Sequence, residues 1–189
     1  MGVQNSNQIR VAPKGDVYVA PTSVTVPTDT ASAWTGWTRL GLVNAEGVTF
    51  TETKSMVDIR AWQMAYPARR VPETKEASIA FSLAQWSQDT VQLAFGGGTV
   101  TGTGPYTYAP PAADVVDERA LGIEWTDGAS IYRIVVPRGI VSDDVETTFS
   151  RVDAAYLPIA FSVIGPSPDA EGLKVNPWYL VTSDTLFAT

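Results

Sequence analysis

The sequence predicts a mainly β protein, a β-sandwich or open barrel with one flanking α-helix. Apolar and polar residues alternate in several segments, and only one segment has convincing helical periodicity. An Asp-Gly dipeptide also lies between two strand-like segments, which is typical of a tight hairpin. About eight strand-like segments separated by turn residues favour a sandwich or a barrel.

The clearest alternating segments cover residues 47–54 and 77–83. In the first, Val48 and Phe50 lie on one face and three threonines on the other, which is the two-residue period of a strand. The threonines are Thr49, Thr51 and Thr53. The second segment has a large apolar residue at every second position from Ile79 onwards. Each segment is therefore expected to bury one face and expose the other.

The helix is predicted over residues 88–95. Ser87 is a suitable N-cap, and Trp86 and Val91 can form a hydrophobic staple across the first turn. Three glycines, residues 96–98, then end the helix. These glycines follow a helix and lack the Lys-Ser or Lys-Thr of a phosphate loop, so a helix stop is the better interpretation.

The hairpin is predicted to turn at Asp127-Gly128, between strands 121–126 and 129–136. This turn would place Ile123 opposite Tyr132. It would also place Leu121 opposite Ile134, with Trp125 on the same face and Glu124 diagonal to Arg133 on the other. Three more strands are predicted at residues 139–151, 155–164 and 178–187.

The chain divides into three parts without internal repeats. Residues 1–33 are expected to form an extended N-terminal arm, because polar residues and prolines dominate them. Residues 34–165 would form the β-sandwich, with a long excursion at about 52–74. Residues 166–189 would form a C-terminal extension with a terminal strand.

Composition removes most enzyme classes. The chain has no histidine and no cysteine, which are the commonest general base, thiol nucleophile and zinc ligands. Charged residues make up 17% of the chain, so much of its surface is neutral and suited to burial between subunits. A net charge of −7 argues against a groove that grips nucleic acid. No segment predicts a membrane span or a signal peptide, and no cofactor is expected.

Other suggestive features have plain structural interpretations. The adjacent pair Asp143-Asp144 would point to opposite faces of a strand, so the two carboxylates could not flank one glycosidic bond. Trp86 and Trp125 lie on apolar faces and are expected in the core. The remaining tryptophans divide evenly between core and subunit interface, and they are Trp34, Trp37, Trp62 and Trp178.

The order of several segments resembles the major tail proteins of long-tailed, non-contractile bacteriophages, in particular those of actinobacterial phages. The segments that carry the resemblance are residues 17–21, 37–50, 58–63 and 81–98. The resemblance implies a tail tube protein whose strands join those of neighbours and whose subunits form hexameric rings, stacked into a tube in the virion tail. It also implies assembly in the host cytoplasm and three kinds of partner: the tape measure protein, the tail terminator and the tail tip proteins. DNA would pass through the lumen without specific binding.

Two sets of candidate site residues follow. The excursion at 52–74 is too long for a simple turn and mixes charges with an aromatic residue, so it is expected to contact a neighbouring subunit. Its candidate contacts are Lys54, Asp58, Arg60, Trp62, Arg69, Arg70 and Glu73.

A wall that lets DNA pass should carry few cations. The candidate lumen residues are Thr49, Thr51, Thr53, Ser142, Asp144 and Glu146, with Asp143 on the opposite face.

One alternative from a different class stays open at this point. Exposed tryptophans and tyrosines could form a platform for sugars, which would make the chain a carbohydrate- or receptor-binding β-sandwich of a virion. A discrete monomer or trimer with a concave aromatic patch would indicate this alternative. Ring-sized particles with extended neutral interfaces would indicate the tube.

Overall fold

The computed structural model describes residues 9–112, 114–142 and 144–187. Ten strands and one α-helix follow one another along the chain. The first elements are β1 (Gly15–Pro21), β2 (Thr38–Arg39), β3 (Val43–Ile59), β4 (Arg69–Leu83) and α1 (Gln88–Ala94). A small hairpin, β5 (Thr99–Thr101) and β6 (Thr107–Ala109), precedes β7 (Arg119–Asp127), β8 (Ser130–Val141), β9 (Leu157–Val163) and β10 (Tyr179–Thr182). Short 3-10 turns lie at Gly172–Val175 and Thr185–Phe187.

Eight of the strands form one antiparallel sheet. Seven of them follow the order β2-β1-β7-β8-β9-β4-β3, and the eighth, β10, pairs with β8 beside this path. Strand β8 organises this sheet because its two ends have different partners. Its first part, residues 132–135, lies between β7 and β10, whereas residues 139–141 pair with β9. The sheet thus has two halves that meet at β8.

The two halves share a single hydrophobic core. Val17 of β1 and Leu121 of β7 belong to the same buried cluster as Phe81 of β4 and Phe161 of β9. Helix α1 adds Leu93 to this cluster. Because residues of both halves pack in one cluster, the sheet folds over on itself, and the predicted β-sandwich with one flanking helix is confirmed.

The helix begins where the sequence predicts and ends one residue earlier. Ser87 caps it, and the hydroxyl of Ser87 accepts a hydrogen bond from the Thr90 backbone N–H while the Thr90 hydroxyl accepts one from the Ser87 N–H. This reciprocal capping box satisfies two backbone donors of the first turn. Phe95 occupies the C-cap.

The hairpin between β7 and β8 is present, but its predicted register is wrong by two residues. Ile123 pairs with Ile134 and Leu121 with Val136, and Glu124 lies directly opposite Arg133. Asp127 pairs with Ser130, so the loop is Gly128-Ala129 instead of Asp127-Gly128. Gly128 has a φ of 59° at the first loop position, as in a Gly-X turn. The faces of the strands are unchanged, because a two-residue shift preserves alternation.

The predicted strand at residues 139–151 is present only over residues 139–141, as the end of β8, and the rest of the prediction is wrong. Strand β8 ends at Val141, and residues 144–156 contain no strand or helix. Ser142 still donates its N–H to the carbonyl of Ala160 at 3.0 Å, but the next position of that ladder on β9 is Pro158. Proline has no N–H to donate, so the pairing cannot continue to Asp144.

Candidate assembly surfaces

The most extended feature of the molecule is the hairpin of β3 and β4. Strand β4 pairs with β9 only over residues 78–83, whereas it pairs with β3 as far as Arg69. Residues 52–59 and 69–77 therefore have only each other as strand partners, with residues 60–68 as the connection. We call residues 52–77 the hairpin arm. A two-stranded ribbon with so little support needs further contacts to be held in place.

All seven candidate contact residues of the sequence analysis lie on the hairpin arm. They are Lys54, Asp58, Arg60, Trp62, Arg69, Arg70 and Glu73. Asp58 and Arg70 are opposite each other in the ladder, with 2.8 Å between Oδ1 and Nε. Arg60 is 3.8 Å from the same carboxylate. Lys54 and Lys75 both lie near Glu52, at 3.5 and 3.2 Å. The arm thus carries exposed ion pairs along its length.

The tip of the arm exposes large apolar side chains. Trp62 is 99% exposed, and Tyr66 and Met64 beside it are also exposed. Met56, Val57 and Ile59 extend this apolar surface along β3. A fully exposed tryptophan in a cluster of apolar residues is typical of a surface that is buried in an assembly.

The outward face of the β3–β4–β9 half is neutral and made of small residues. Thr51 of β3 is opposite Ser78 of β4, which is opposite Ser162 of β9. The hydroxyl oxygens of Ser162 and Ser142 are 2.6 Å apart, so Ser142 lies on the same face, diagonal to Ser162, whose direct partner on β8 is Ile140. The adjacent rows add Thr49, Ala80, Ser82, Pro158 and Ala160. Over 49–51, 78–82 and 158–162 this face, the neutral face, has no charged side chain.

Four of the six candidate lumen residues thus lie on one face of the sheet: Thr49, Thr51, Thr53 and Ser142. Asp144 and Glu146 are exposed in the irregular segment after β8. Strand alternation was the reason to group them with Ser142, and that reason fails because the strand ends at Val141. Asp143, expected on the opposite face, lies outside the described residues.

A second apolar surface lies beside the helix and was missed by sequence reasoning. Trp86 is 46% exposed, which contradicts its predicted core position. Its indole N–H donates to the carbonyl of Ala155 at 2.7 Å, and its ring lies 5.8 Å from that of Phe149. Phe149, Val152 and Tyr156 are exposed around it. We call these four, Trp86, Phe149, Val152 and Tyr156, the end patch. Composition gave no signal for it, because residues 144–156 are about as apolar as the chain as a whole.

The other four tryptophans differ in how far they are packed within the chain. Trp34 covers the outer face of β7, where it stacks on Tyr18 and donates its indole N–H to Glu124 at 3.0 Å. Trp37 packs edge-on against Trp34. Trp178 packs against Phe50 and donates to Glu52 at 3.0 Å. These three are half-buried within the chain, and Trp62 has no such packing.

The residues that the structure describes contain no group of three or more His, Cys, Asp or Glu side chains placed to hold a metal ion. In the same part of the chain no helix is long and apolar enough to cross a membrane.

Comparison with known proteins gives the family of the chain. A family model described as phage tail tube protein matches residues 1–178. The chain belongs to this family. The curated proteins contain no match to it. Membership gives the tail tube protein a structural role in the virion tail and self-assembly into a tube, and it points to a non-enzymatic function.

The tail tube protein also fastens its two end segments to strand β8. The Arg10 guanidinium donates to the hydroxyl of Tyr132 at 2.6 Å and to the carboxylate of Asp184 at 2.7 Å. The Tyr132 hydroxyl donates to the same carboxylate. Asp184 is buried, and the hydrogen bond from Tyr132, followed by those from the Leu186 N–H and Arg10, lowers the pKa of its carboxyl group. The N- and C-terminal segments are thus joined through one carboxylate.

This carboxylate should make stability fall in acid. A lowered pKa in the folded state means that the contribution of Asp184 is complete above about pH 5 and is lost as the pH falls through the lowered pKa. We expect Asp184→Asn to lower the Tm at pH 7 and to flatten the loss of Tm below about pH 4, because the amide cannot titrate. Thermal unfolding followed by circular dichroism between these pH values measures both effects. The control is Asp169→Asn, an exposed carboxylate, which should change neither; an identical acid profile for both variants would contradict the assignment.

Proposed function

We propose that the tail tube protein polymerises as hexameric rings that stack into the tube, with the hairpin arm as an inter-subunit contact. The observation that carries this proposal is the arm itself. It extends beyond β9, exposes Trp62 completely, and has an outer strand, β3, at the end of the sheet order. An exposed strand edge and apolar tip are a liability in a monomer, and burial in a closed assembly removes it.

The number of subunits in each ring, six, is taken from a resemblance to major tail proteins. This resemblance is carried by residues 17–21, 37–50, 58–63 and 81–98. Head-to-tail contacts between identical chains close into rings when the rotation between neighbours divides a full turn. Low charge content supports large interfaces, because charged residues are depleted from interface cores.

We further propose that the neutral face lines the lumen. DNA is held by clustered Lys and Arg through counterion release, so a wall of hydroxyl and methyl groups keeps its contacts weak. Thr49, Thr51, Thr53 and Ser142 supply this chemistry, together with Ser78 and Ser162. Asp144 and Glu146 are left out of this wall, since they lie beyond the end of β8.

The tube so formed would be assembled in the host cytoplasm around the tape measure protein, and would later conduct the genome during ejection. The terminator and tail tip proteins would contact its two ends. Family membership favours this function over a carbohydrate- or receptor-binding module, because the matched model describes a tube protein over most of the chain.

The ring number can be tested by electron cryomicroscopy of tubes assembled from the purified chain or taken from virions. We expect cross-sections with six-fold symmetry and rings stacked along the axis. Another rotational symmetry would contradict the hexamer alone. Isolated monomers in intact tails would contradict the tube.

The arm can be tested by charge reversal. Arg69→Glu with Arg70→Glu places two negative charges against a partner surface that is expected to receive arginines. The repulsion should raise the concentration needed for polymerisation by about tenfold or more. The folded monomer should persist, because both side chains are exposed and setting a glutamate at position 70 opposite Asp58 in the ladder costs only about 1 kcal/mol or less. The matched control, Arg69→Lys with Arg70→Lys, keeps the charge and should polymerise nearly normally. Light scattering against concentration measures the effect, and normal tubes from the reversed variant would refute the contact.

The lumen can be tested with cations on the neutral face. Thr49→Lys with Thr51→Lys should slow DNA release from virions, because a cationic wall retains phosphate, and the delay should shrink as salt is raised. The control Thr49→Ser with Thr51→Ser keeps the hydroxyls. Release rates from virions with tails of normal length are the measurement. Equal rates for both variants would place this face outside the DNA path.

A further inference from the structure

Two exposed apolar surfaces lie at opposite ends of the β3–β4 hairpin. The tip of the arm, residues 60–68, precedes the first residue of β4, Arg69. The end patch begins just after the last residue of β4, Leu83, since Trp86 is three positions further on. Leu83 is also paired with Leu157, which brings the segment ending at Tyr156 to the same end. The tip of the arm thus lies before the first residue of β4, and the end patch lies after its last residue.

The distance between these surfaces prevents their contact within one chain. Fourteen residue steps separate Arg69 from Leu83, and at about 3.3 Å per residue they span roughly 45 Å. Both surfaces are nevertheless apolar: Trp62 is 99% exposed at the tip, and Phe149 is 76% exposed in the end patch. Each surface needs a partner that this copy of the chain cannot provide to itself.

The charges around the two surfaces are complementary. Residues 56–71 carry three arginines, Arg60, Arg69 and Arg70, against one carboxylate, Asp58. The end patch is flanked by three carboxylates, Asp144, Glu146 and Asp153, against one cation, Arg151. None of these three carboxylates forms an ion pair with another residue that the structure describes. The tip is thus cationic and the patch anionic, in a chain whose net charge is −7.

We propose that the tip of the hairpin arm docks on the end patch of a second copy of this chain. Trp62 and its apolar neighbours pack against Phe149 and Trp86, while the arginines of the arm face Glu146 and Asp153. The contact is heterologous, with the tip of one copy against the opposite end of the next, so it repeats along the strand direction and builds a polymer instead of a closed dimer. This proposal rests on the proposed self-assembly and adds the surface that receives the arm.

The chemistry of both surfaces favours this partner over others. A buried tryptophan or arginine at the centre of a contact commonly dominates its binding energy, and the tip offers both types. The partner must supply apolar area together with carboxylates, which the end patch does. Steering between opposite charges also favours head-to-tail encounters, because two arm tips repel each other and two end patches do the same.

Site-specific crosslinking in trans tests the contact. The chain has no cysteine, so one chain with Gln63→Cys and another with Thr148→Cys each carry a single thiol beside the anchors Trp62 and Phe149, which stay in place. Both positions are exposed, so folding should be unaffected. The two chains are mixed under polymerising conditions, treated with a short thiol-to-thiol crosslinker and analysed for covalent dimers. The matched control pairs Gln63→Cys with Tyr106→Cys, an exposed position (73%) on the β5–β6 loop.

We expect covalent dimers from the Gln63→Cys and Thr148→Cys mixture and few or none from the control mixture. Equal yields from the two mixtures would overturn the docking. Normal six-fold tubes without the 63–148 crosslink would also overturn it and leave the proposed function intact. The specific crosslink in polymers that are not hexameric would support the docking and contradict the ring number.

Charge exchange provides a second, independent readout. Glu146→Lys with Asp153→Lys should impair polymerisation by about tenfold, as the arm reversal does. Combining this change with Arg69→Glu and Arg70→Glu in one chain restores opposite charges across the contact and should recover most of the loss. Additive loss in the combined variant would overturn the pairing of these charges.

Discussion

The fold depends on the exchange of partners along β8. This strand pairs with β7 on one edge from Ser130 to Gly139, while the other edge passes from β10 to β9. One strand therefore belongs to both halves of the folded sheet, and the core between them closes around Val136, Phe161 and Leu121. Because β10 and the Asp184 cluster also attach to β8, both end segments of the chain are positioned by the same strand.

The hairpin arm extends beyond the strands that enclose the core. Strand β9 is only seven residues long, whereas β3 and β4 contain 17 and 15. The excess length becomes the hairpin arm, and its largest apolar side chains, Trp62 and Tyr66, are exposed in the part of the chain that the structure describes. The arm thus arises from a mismatch of strand lengths within one sheet.

Sequence patterns predicted the elements whose determinants are local. Ser87 and Thr90 fix the start of α1, and the alternation around Phe50 fixes which side of β3 faces the core. Patterns failed where a distant residue decides the outcome. The end of β8 depends on Pro158, and the position of Trp86 outside the core depends on its contacts with Phe149 and Ala155. The hairpin register depended on whether Gly128 takes the first or second loop position, which the dipeptide Asp-Gly does not specify.

The ion pairs of the arm are better understood as determinants of pairing than of stability. Arg70 and Lys75 are exposed and their partners Asp58 and Glu52 are half-buried, and ion pairs so open to solvent contribute little to the free energy of folding. The Asp58–Arg70 pair does place fixed charges beside Ile59 on β3, the strand at the end of the sheet order. Charges on an edge exclude partners that cannot match them, so an apolar surface becomes selective without losing its area. In the proposed assembly, a chain with this arm would expose an accessible tryptophan and still restrict its association to a surface of matching shape and charge.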